Sequence, residues 1–182
     1  PAMHETDWVA RVTRRAAGPH DREPEGPDPC EVAVLDCGVK KSILDRLVSE
    51  GCRVRVFPAA TPASALLASP TEGVLLSNGP GDPAALPGLV ETVSDLLVGD
   101  LPLFGICLGH QLLARALGAR TVRLPFGHHG ANHPVHNLAT GRVEITSQNH
   151  NFNVPIESLD PARARVTHVS LNDRSVEGLQ AV

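Results

Sequence analysis

The stretch "GVLLSNGPGDPAALPGLVETVSDLLVGDLPLFGICLGHQLLARALG", Gly73 to Gly118, decides the fold. A short apolar run, "GVLLSN", ends in the turn-rich loop "GPGDP"; the helical "LPGLVETVSDLLVG" follows. A second apolar run, "LPLFGI", passes straight into "LGHQLLARALG", which has helical periodicity and a stop at Gly118. The same alternation extends upstream. "EVAVLDCG" reads as a buried strand, and "KKSILDRLVSEG" as a helix with Ile43, Leu44, Leu47 and Val48 on one face and Gly51 as its stop. "CRVRVFP" is another strand, and "TPASALLAS" opens a helix with Thr61 as N-cap and Pro62 at the first helical position. Repeated strand–helix alternation predicts an α/β domain, a mostly parallel sheet with helices on both faces. After Ala119 the texture changes to strands and loops ("TVRLPFG", "GRVEITSQ", "RARVTHVS", "VEGLQAV"), expected to be an antiparallel or edge extension of that same sheet.

The bulk composition is that of an ordinary globular chain, 42% apolar and 20% charged. A formal net charge of -4 with no Lys/Arg stripe gives no footprint for nucleic acid. No apolar run approaches the roughly 18 residues that span a bilayer, so no membrane association is expected. Four cysteines with neither a C-x-x-C pair nor a dense framework point to a reducing, cytoplasmic setting. Residues 1–29, with "AAGPHDREPEGPDP" rich in Pro, Gly and charge, read as a linker, and residues 30–182 as the folded domain. A first residue other than methionine and the apolar ending "GLQAV" lead us to expect that both ends are cuts from something longer.

"GICLG", Gly105 to Gly109, has the pattern of a strand–turn–helix nucleophile elbow with cysteine in place of serine. Residues two away from the nucleophile must be small because strand and helix backbones crowd there. A helix N-terminus favours the thiolate of Cys107, and the N–H of Leu108 is aimed to donate to an oxyanion. Gln111, one turn on, shares that side of the helix, while Leu112, Leu113, Ala116 and Leu117 read as core. His110 points away from Cys107 on a helix and is rejected as its base. Cys30, Cys37 and Cys52 lie in or beside apolar strands and read as structural. In "SNGPGDP" the glycines sit at a strand end, where their N–H groups complete an oxyanion hole if the loop faces the elbow. Five of the nine histidines, His128, His129, His133, His136 and His150, cluster in "FGHHGANHPVHN" and "SQNHNFN". No H-E-x-x-H or Cys/His zinc spacing accompanies them, so hydrogen-bonded loop histidines are expected and no metal site is.

Taken together, "GICLGHQLLA" after "LSNGPGDP" resembles the class I glutamine amidotransferases, and "FGHHGANHPV" with "SQNHNF" resembles the small, glutamine-hydrolysing chains of the carbamoyl-phosphate synthases among them. The resemblance runs from Cys30 to the end, with residues 1–29 similar to that family's interdomain linker. It implies a flavodoxin-like fold with a later strand-rich extension. Cys107 is implied as the nucleophile that forms a glutamyl thioester and releases ammonia. Gly79 and Gly81 match the glycine loop around the substrate and its oxyanion, Leu108 and Gln111 the elbow-side contacts, and Asn149, Asn151 and Phe152 the segment holding the amino-acid end of L-glutamine. Asn151 departs from the pattern, which has glycine there, and its side chain is expected to crowd the substrate.

The family's base and orienting acid lie in a His-Pro-Glu motif expected beyond Val182, since His133-Pro134 is followed by Val135. A chain of these residues alone is therefore expected to be nearly inactive as a glutaminase. The resemblance also implies a large synthetase subunit as partner, which carries ATP and magnesium and uses bicarbonate and the ammonia to make carbamoyl phosphate for arginine and pyrimidine synthesis. No cofactor is expected in this chain. The rival readings are an amidotransferase of another pathway, a non-catalytic glutamine-binding or synthetase-docking homologue, and a metal-binding module built on the histidines.

Overall fold

The computed structural model describes residues 6–182. The chain divides into two compact units, Pro1–Leu112 and Leu113–Val182, each with its own sheet.

The first unit is built on a five-stranded sheet. Its elements are α1 (Val9–Val12), β1 (Gly18–Pro19), β2 (Cys30–Asp36), α2 (Lys41–Ser49), β3 (Cys52–Pro58), α3 (Ala63–Leu67), β4 (Gly73–Leu76), α4 (Pro87–Leu96), β5 (Leu103–Gly105) and the start of α5 (Leu108–Ala116). Strand order is β1-β3-β2-β4-β5. The pairs β2–β3, β2–β4 and β4–β5 are parallel, and only the two-residue β1 runs antiparallel. The chain leaves β2 for β3 on one side and then crosses to β4 on the other. The carboxyl ends of β2 and β4 therefore flank the topological switch point, where open α/β sheets hold their ligands.

Consecutive buried residues along β2 and β4, the pattern of a sheet covered on both faces, supply the core. Val34, Val54, Val56 and Leu75 pack with Leu44 and Val48 of α2, flanked by Ile43 and Leu47, so the helical face read from the sequence is the buried one. Gly51 ends α2 in the left-handed region, φ 88°, a conformation open to glycine without a Cβ penalty. The third helix begins one residue later than the sequence predicted. Pro62 sits extended as the N-cap and Ala63 is the first helical residue, so Thr61 lies outside the cap.

Residues 6–29, the described part of the segment read as a linker, carry structure of their own. Val9 is buried, β1 joins the sheet edge, and buried His20 bonds Asp45 of α2 at 3.0 Å. Composition hid these anchors because they are single residues spaced among Pro and Gly.

The second unit corrects the expected sheet extension. The strands β6 (Val122–Asn137), β7 (Val143–Asn153), β8 (Ala164–Ser170) and β9 (Val176–Ala181) form a separate, wholly antiparallel sheet of order β7-β6-β8-β9. The long β6 pairs with β7 along one edge and β8 along the other, so its backbone groups are satisfied inside this sheet. The histidine-rich segment read as loop is part of β6. Gly127 (φ 70°) and Gly130 (φ 149°) accompany register shifts that let so many polar residues stay in a ladder. A small apolar cluster of Ala114, Ala119, Val154 and Val176 closes the unit. Among the described residues, no helix is long and apolar enough to cross a membrane.

Candidate active site

The turn between β5 and α5 has the shape the sequence predicted. Cys107 is held at φ 54°, one of two non-glycine residues among those described with positive φ. A left-handed conformation is costly for a residue with a Cβ, and such strain concentrates at functional sites. The two glycines are dictated by space. A Cβ on Gly105 would lie 2.6 Å from Gly109 C and from His110 N, and one on Gly109 would lie 2.1 Å from the Leu76 carbonyl oxygen. Backbone bonds pin the turn to β4: Ile106 N–H donates to Leu76 O (3.0 Å) and Gly109 N–H to Ser77 O (3.1 Å). Gln111 N–H donates to Cys107 O (3.1 Å), which makes Cys107 the residue that opens the helix. Cys107 is half-buried, Leu108 and Gln111 are buried, and the residues read as core (Leu112, Leu113, Ala116, Leu117) are buried as well.

The loops after β2 and β4 meet at the same edge of this sheet. The Ser77 hydroxyl accepts from Cys37 N–H (2.9 Å) and donates to Asn78 O (2.8 Å). The Asn78 amide bridges to Gly38 O (3.0 Å) and accepts from Lys40 N–H (3.1 Å). Asp36 accepts from Gly38 and Val39 N–H, both at 2.9 Å, and from Arg14 N–H at 2.9 Å. This clamp sets the path of Gly79, whose missing Cβ would fall 2.2 Å from Cys37 O and 2.8 Å from Leu108 Cδ2. Gly79 and Leu108 are thus brought together in the first unit. Gly81, at φ 100°, turns the loop beside the Trp8 ring. Asp36, Ser77 and Asn78 were not singled out from the sequence. The signal present was a polar residue at the end of each apolar run, one or two positions before glycine. Cys37 is buried, and burial followed by the charge of Asp36 pushes its thiol up to about 12, which fits the structural role read for it.

The other residues expected to meet the substrate, Asn149, Asn151 and Phe152, lie on β7 in the second unit. Asn149 faces His129 across the ladder, and His129 contacts both neighbouring amides, Asn149 Oδ1 from Nδ1 (2.8 Å) and Asn151 Oδ1 from Nε2 (3.2 Å). The side chain of Asn151 therefore meets β6. Phe152 is buried, and its carbonyl accepts from His150 Nδ1 at 2.8 Å.

Among the described residues, His128, His150 and Glu177 form a group whose nitrogen and oxygen atoms lie within 4.8 Å of one another, a spacing that suits a metal. The same ring nitrogens are engaged in hydrogen bonds within the second unit. Thr146 Oγ1 donates to His133 O (3.0 Å) and accepts from Gln148 Nε2 (3.1 Å), which turns Gln148 Oε1 toward the pair. That oxygen lies 3.1 Å from His128 Nδ1 and 2.7 Å from His150 Nε2. His128 Nε2 faces Asp173 Oδ2 at 2.8 Å. Every ring nitrogen of the pair thus lies within hydrogen-bond distance of an oxygen of this chain, with Asp173 and Glu177 as the carboxylates beside them.

Burial works against the charged forms, but the contacts outweigh it. His150 is raised above its ordinary value by the hydrogen bond and charge of Glu177. Asp173 is held down to about 2 by bonds from Ser175 and His128, and Glu177 is lowered by His150 and Ser175.

Comparison with known proteins agrees with this geometry. Residues 33–182 match the glutamine amidotransferase class-I family. A carbamoyl phosphate synthase small chain from Symbiobacterium thermophilum is 58% identical over 155 residues, covering 85% of this chain and 42% of that protein. One from Stutzerimonas stutzeri is 49% identical over 174 residues, covering 96% of this chain and 45% of that protein. The chain thus spans under half the length of these relatives. The fold is shared with a solved glutamine amidotransferase from Thermotoga maritima, with TM-score 0.66 and 17% identity over 85% of this chain and 72% of that one.

Proposed function

The chain belongs to the class I glutamine amidotransferases, and from that premise we propose that it is the glutamine-hydrolysing domain of a carbamoyl-phosphate synthase small chain. The observation that carries the catalytic part is the strained Cys107, set at φ 54° between two glycines on which an added Cβ would lie 2.6 Å or less from backbone atoms.

On this reading the Cys107 thiolate attacks the side-chain carboxamide carbon of L-glutamine. The developing oxyanion is met by the N–H of Leu108 and by the glycine loop of Gly79 and Gly81, with Gln111 beside them. Collapse of the tetrahedral adduct expels ammonia and leaves a glutamyl thioester, which water hydrolyses to glutamate. The proton that departing ammonia needs is assigned to the histidine of the family's His-Pro-Glu motif. Asn149, Asn151 and Phe152 hold the amino-acid end of the substrate. The ammonia passes to a large synthetase subunit, where ATP, magnesium and bicarbonate take part and carbamoyl phosphate is made.

The experiment is labelling of the full-length protein with a chloroketone analogue of glutamine, followed by peptide mapping. Stoichiometric label on Cys107, blocked by L-glutamine, is expected. Label on Cys30, Cys37 or Cys52 in preference to Cys107 refutes the assignment. Binding of L-glutamine, measured by calorimetry, without covalent labelling favours a binding homologue that does not turn over.

A further inference from the structure

The ladder between β2 and β3 opens with two cysteines. Cys30 and Cys52 are the first residues of their strands and are register partners in the parallel pair. Paired residues on neighbouring strands lie about 4.8 Å apart, inside the roughly 4.4–6.8 Å Cα spacing that disulfides span. Register partners also point to the same face. The next pair shows that side chains on this ladder reach each other, since Arg53 Nη1 donates to Glu31 Oε1 at 2.7 Å. Cys30 is exposed, whereas Cys52 is half-buried against the core under α2. Burial first, then the neighbouring Cys30 thiol and Glu50, hold the Cys52 thiol above its ordinary value. Cys37 is buried, and Cys107 follows β5 at the opposite, carboxyl edge of the sheet. The pair is therefore separate from the candidate nucleophile.

We propose that Cys30 and Cys52 are an oxidisable thiol pair that forms a reversible intramolecular disulfide with hydrogen peroxide as oxidant. The exposed Cys30 thiolate attacks one peroxide oxygen, the O–O bond breaks, and Cys30 becomes a sulfenic acid with release of water. The Cys52 sulfur then attacks the sulfenic sulfur, the S–S bond forms, and the sulfenic oxygen leaves as a second water. Two thiols are oxidised by two electrons, and one peroxide is reduced to two waters. A dithiol reductant reverses the bond. The closed loop contains α2, so the link staples β2 to β3 and leaves the β5–α5 turn untouched. The proposal rests on the register alone and not on the function proposed above.

The test is brief peroxide treatment of the full-length protein, alkylation of remaining thiols, digestion without reduction, and mass spectrometry. The expected product is one species joining the Cys30 and Cys52 peptides, lighter than their sum by two hydrogens and lost on reduction. In Cys52→Ser, Cys30 is expected to give a dimedone adduct of its sulfenic acid, and in Cys30→Ser the thiol of Cys52 is expected to stay reduced. Recovery of both peptides separately alkylated overturns the proposal. So does oxidation of Cys30 to sulfinic acid without the joined species, or joining between isotopically light and heavy chains.

Discussion

Replacing Gly109 by alanine tests the elbow most directly. A Cβ there would lie 2.1 Å from Leu76 O, 2.6 Å from Leu76 C and 2.8 Å from Leu76 Cβ. Ordinary contact begins near 3.4 Å, so the start of α5 must retreat by more than an ångström or β4 must bend. Either movement strains Gly109 N–H to Ser77 O, Ile106 N–H to Leu76 O and the contact of Gly79 with Leu108. Overpacking of this kind costs about 1–3 kcal/mol, and one weakened buried hydrogen bond adds about 1 kcal/mol, so Gly109→Ala is expected to lose about 2–4 kcal/mol.

Trp8, the single tryptophan, lies in the first unit and supplies a local fluorescence signal. With a urea m-value of about 2 kcal/mol/M, that loss lowers the midpoint by about 1–2 M. Alkylation of Cys107 by chloroacetamide, mapped by mass spectrometry, is expected to change in rate while that of Cys30 does not. Gly88→Ala is the control. Gly88 sits in the first turn of α4 with nothing within 4 Å of an added Cβ, and the change is expected to stabilise by about 0.5–1 kcal/mol. An unchanged midpoint together with an unchanged Cys107 alkylation rate in Gly109→Ala would refute the spatial reading of the elbow.

Gly79→Ala meets a backbone carbonyl at 2.2 Å, and the full-length variant is expected to lose at least tenfold in labelling by the glutamine chloroketone; wild-type labelling counts against a role for that loop. Asp36→Ala removes the acceptor of three backbone N–H groups and is expected to cost about 2–3 kcal/mol, read by the same Trp8 titration.

The histidine network predicts a pH window in the second unit. The lowered Asp173 contributes stability above its ordinary 3.8 that is lost as pH falls through about 2. The raised His150 contributes stability below 6.5 that is lost as pH rises through its folded-state value. Protection of the β6 and β7 amides from hydrogen exchange is thus expected to be greatest between those limits, with about 1 kcal/mol at stake on the acid side given the partial exposure of Asp173. Glu177→Gln is expected to flatten the alkaline limb. A pH-independent protection profile contradicts the network.

The first unit was legible in the sequence because its signals are local. Apolar runs of strand length, an i, i+3, i+4 face on α2 and small residues two positions either side of Cys107 each record a short-range constraint. What escaped was encoded between distant positions. In the clamp, Ser77 and Asn78 bond residues about forty positions away and Asp36 reaches Arg14, 22 positions back, while each alone is an ordinary polar residue at a strand end. Val9 and His20 anchor a segment whose average composition is that of a linker. The region after Ala119 was legible as strand-rich and antiparallel, but not as a separate sheet, because β6 is long, half exposed and interrupted by glycine, and nothing local marks it as pairing on both edges. His128, His129 and His150 are hydrogen-bonded as expected, whereas His133 Nδ1 is buried without a partner among the described residues, and the register that sets His128 opposite His150 is invisible in one dimension.

The left-handed backbone at Cys107 also bears on how this protein would evolve under selection. Every side chain at that position carries a conformational cost of about 1–2 kcal/mol that glycine avoids. A library randomised at residue 107 and screened only for heat resistance is therefore expected to enrich glycine, while, on the function proposed above, the same library screened for growth that needs ammonia from glutamine is expected to keep cysteine. The two winners would share a fold and differ in one thiol, which makes position 107 a place where selection for durability and selection for chemistry pull the population apart.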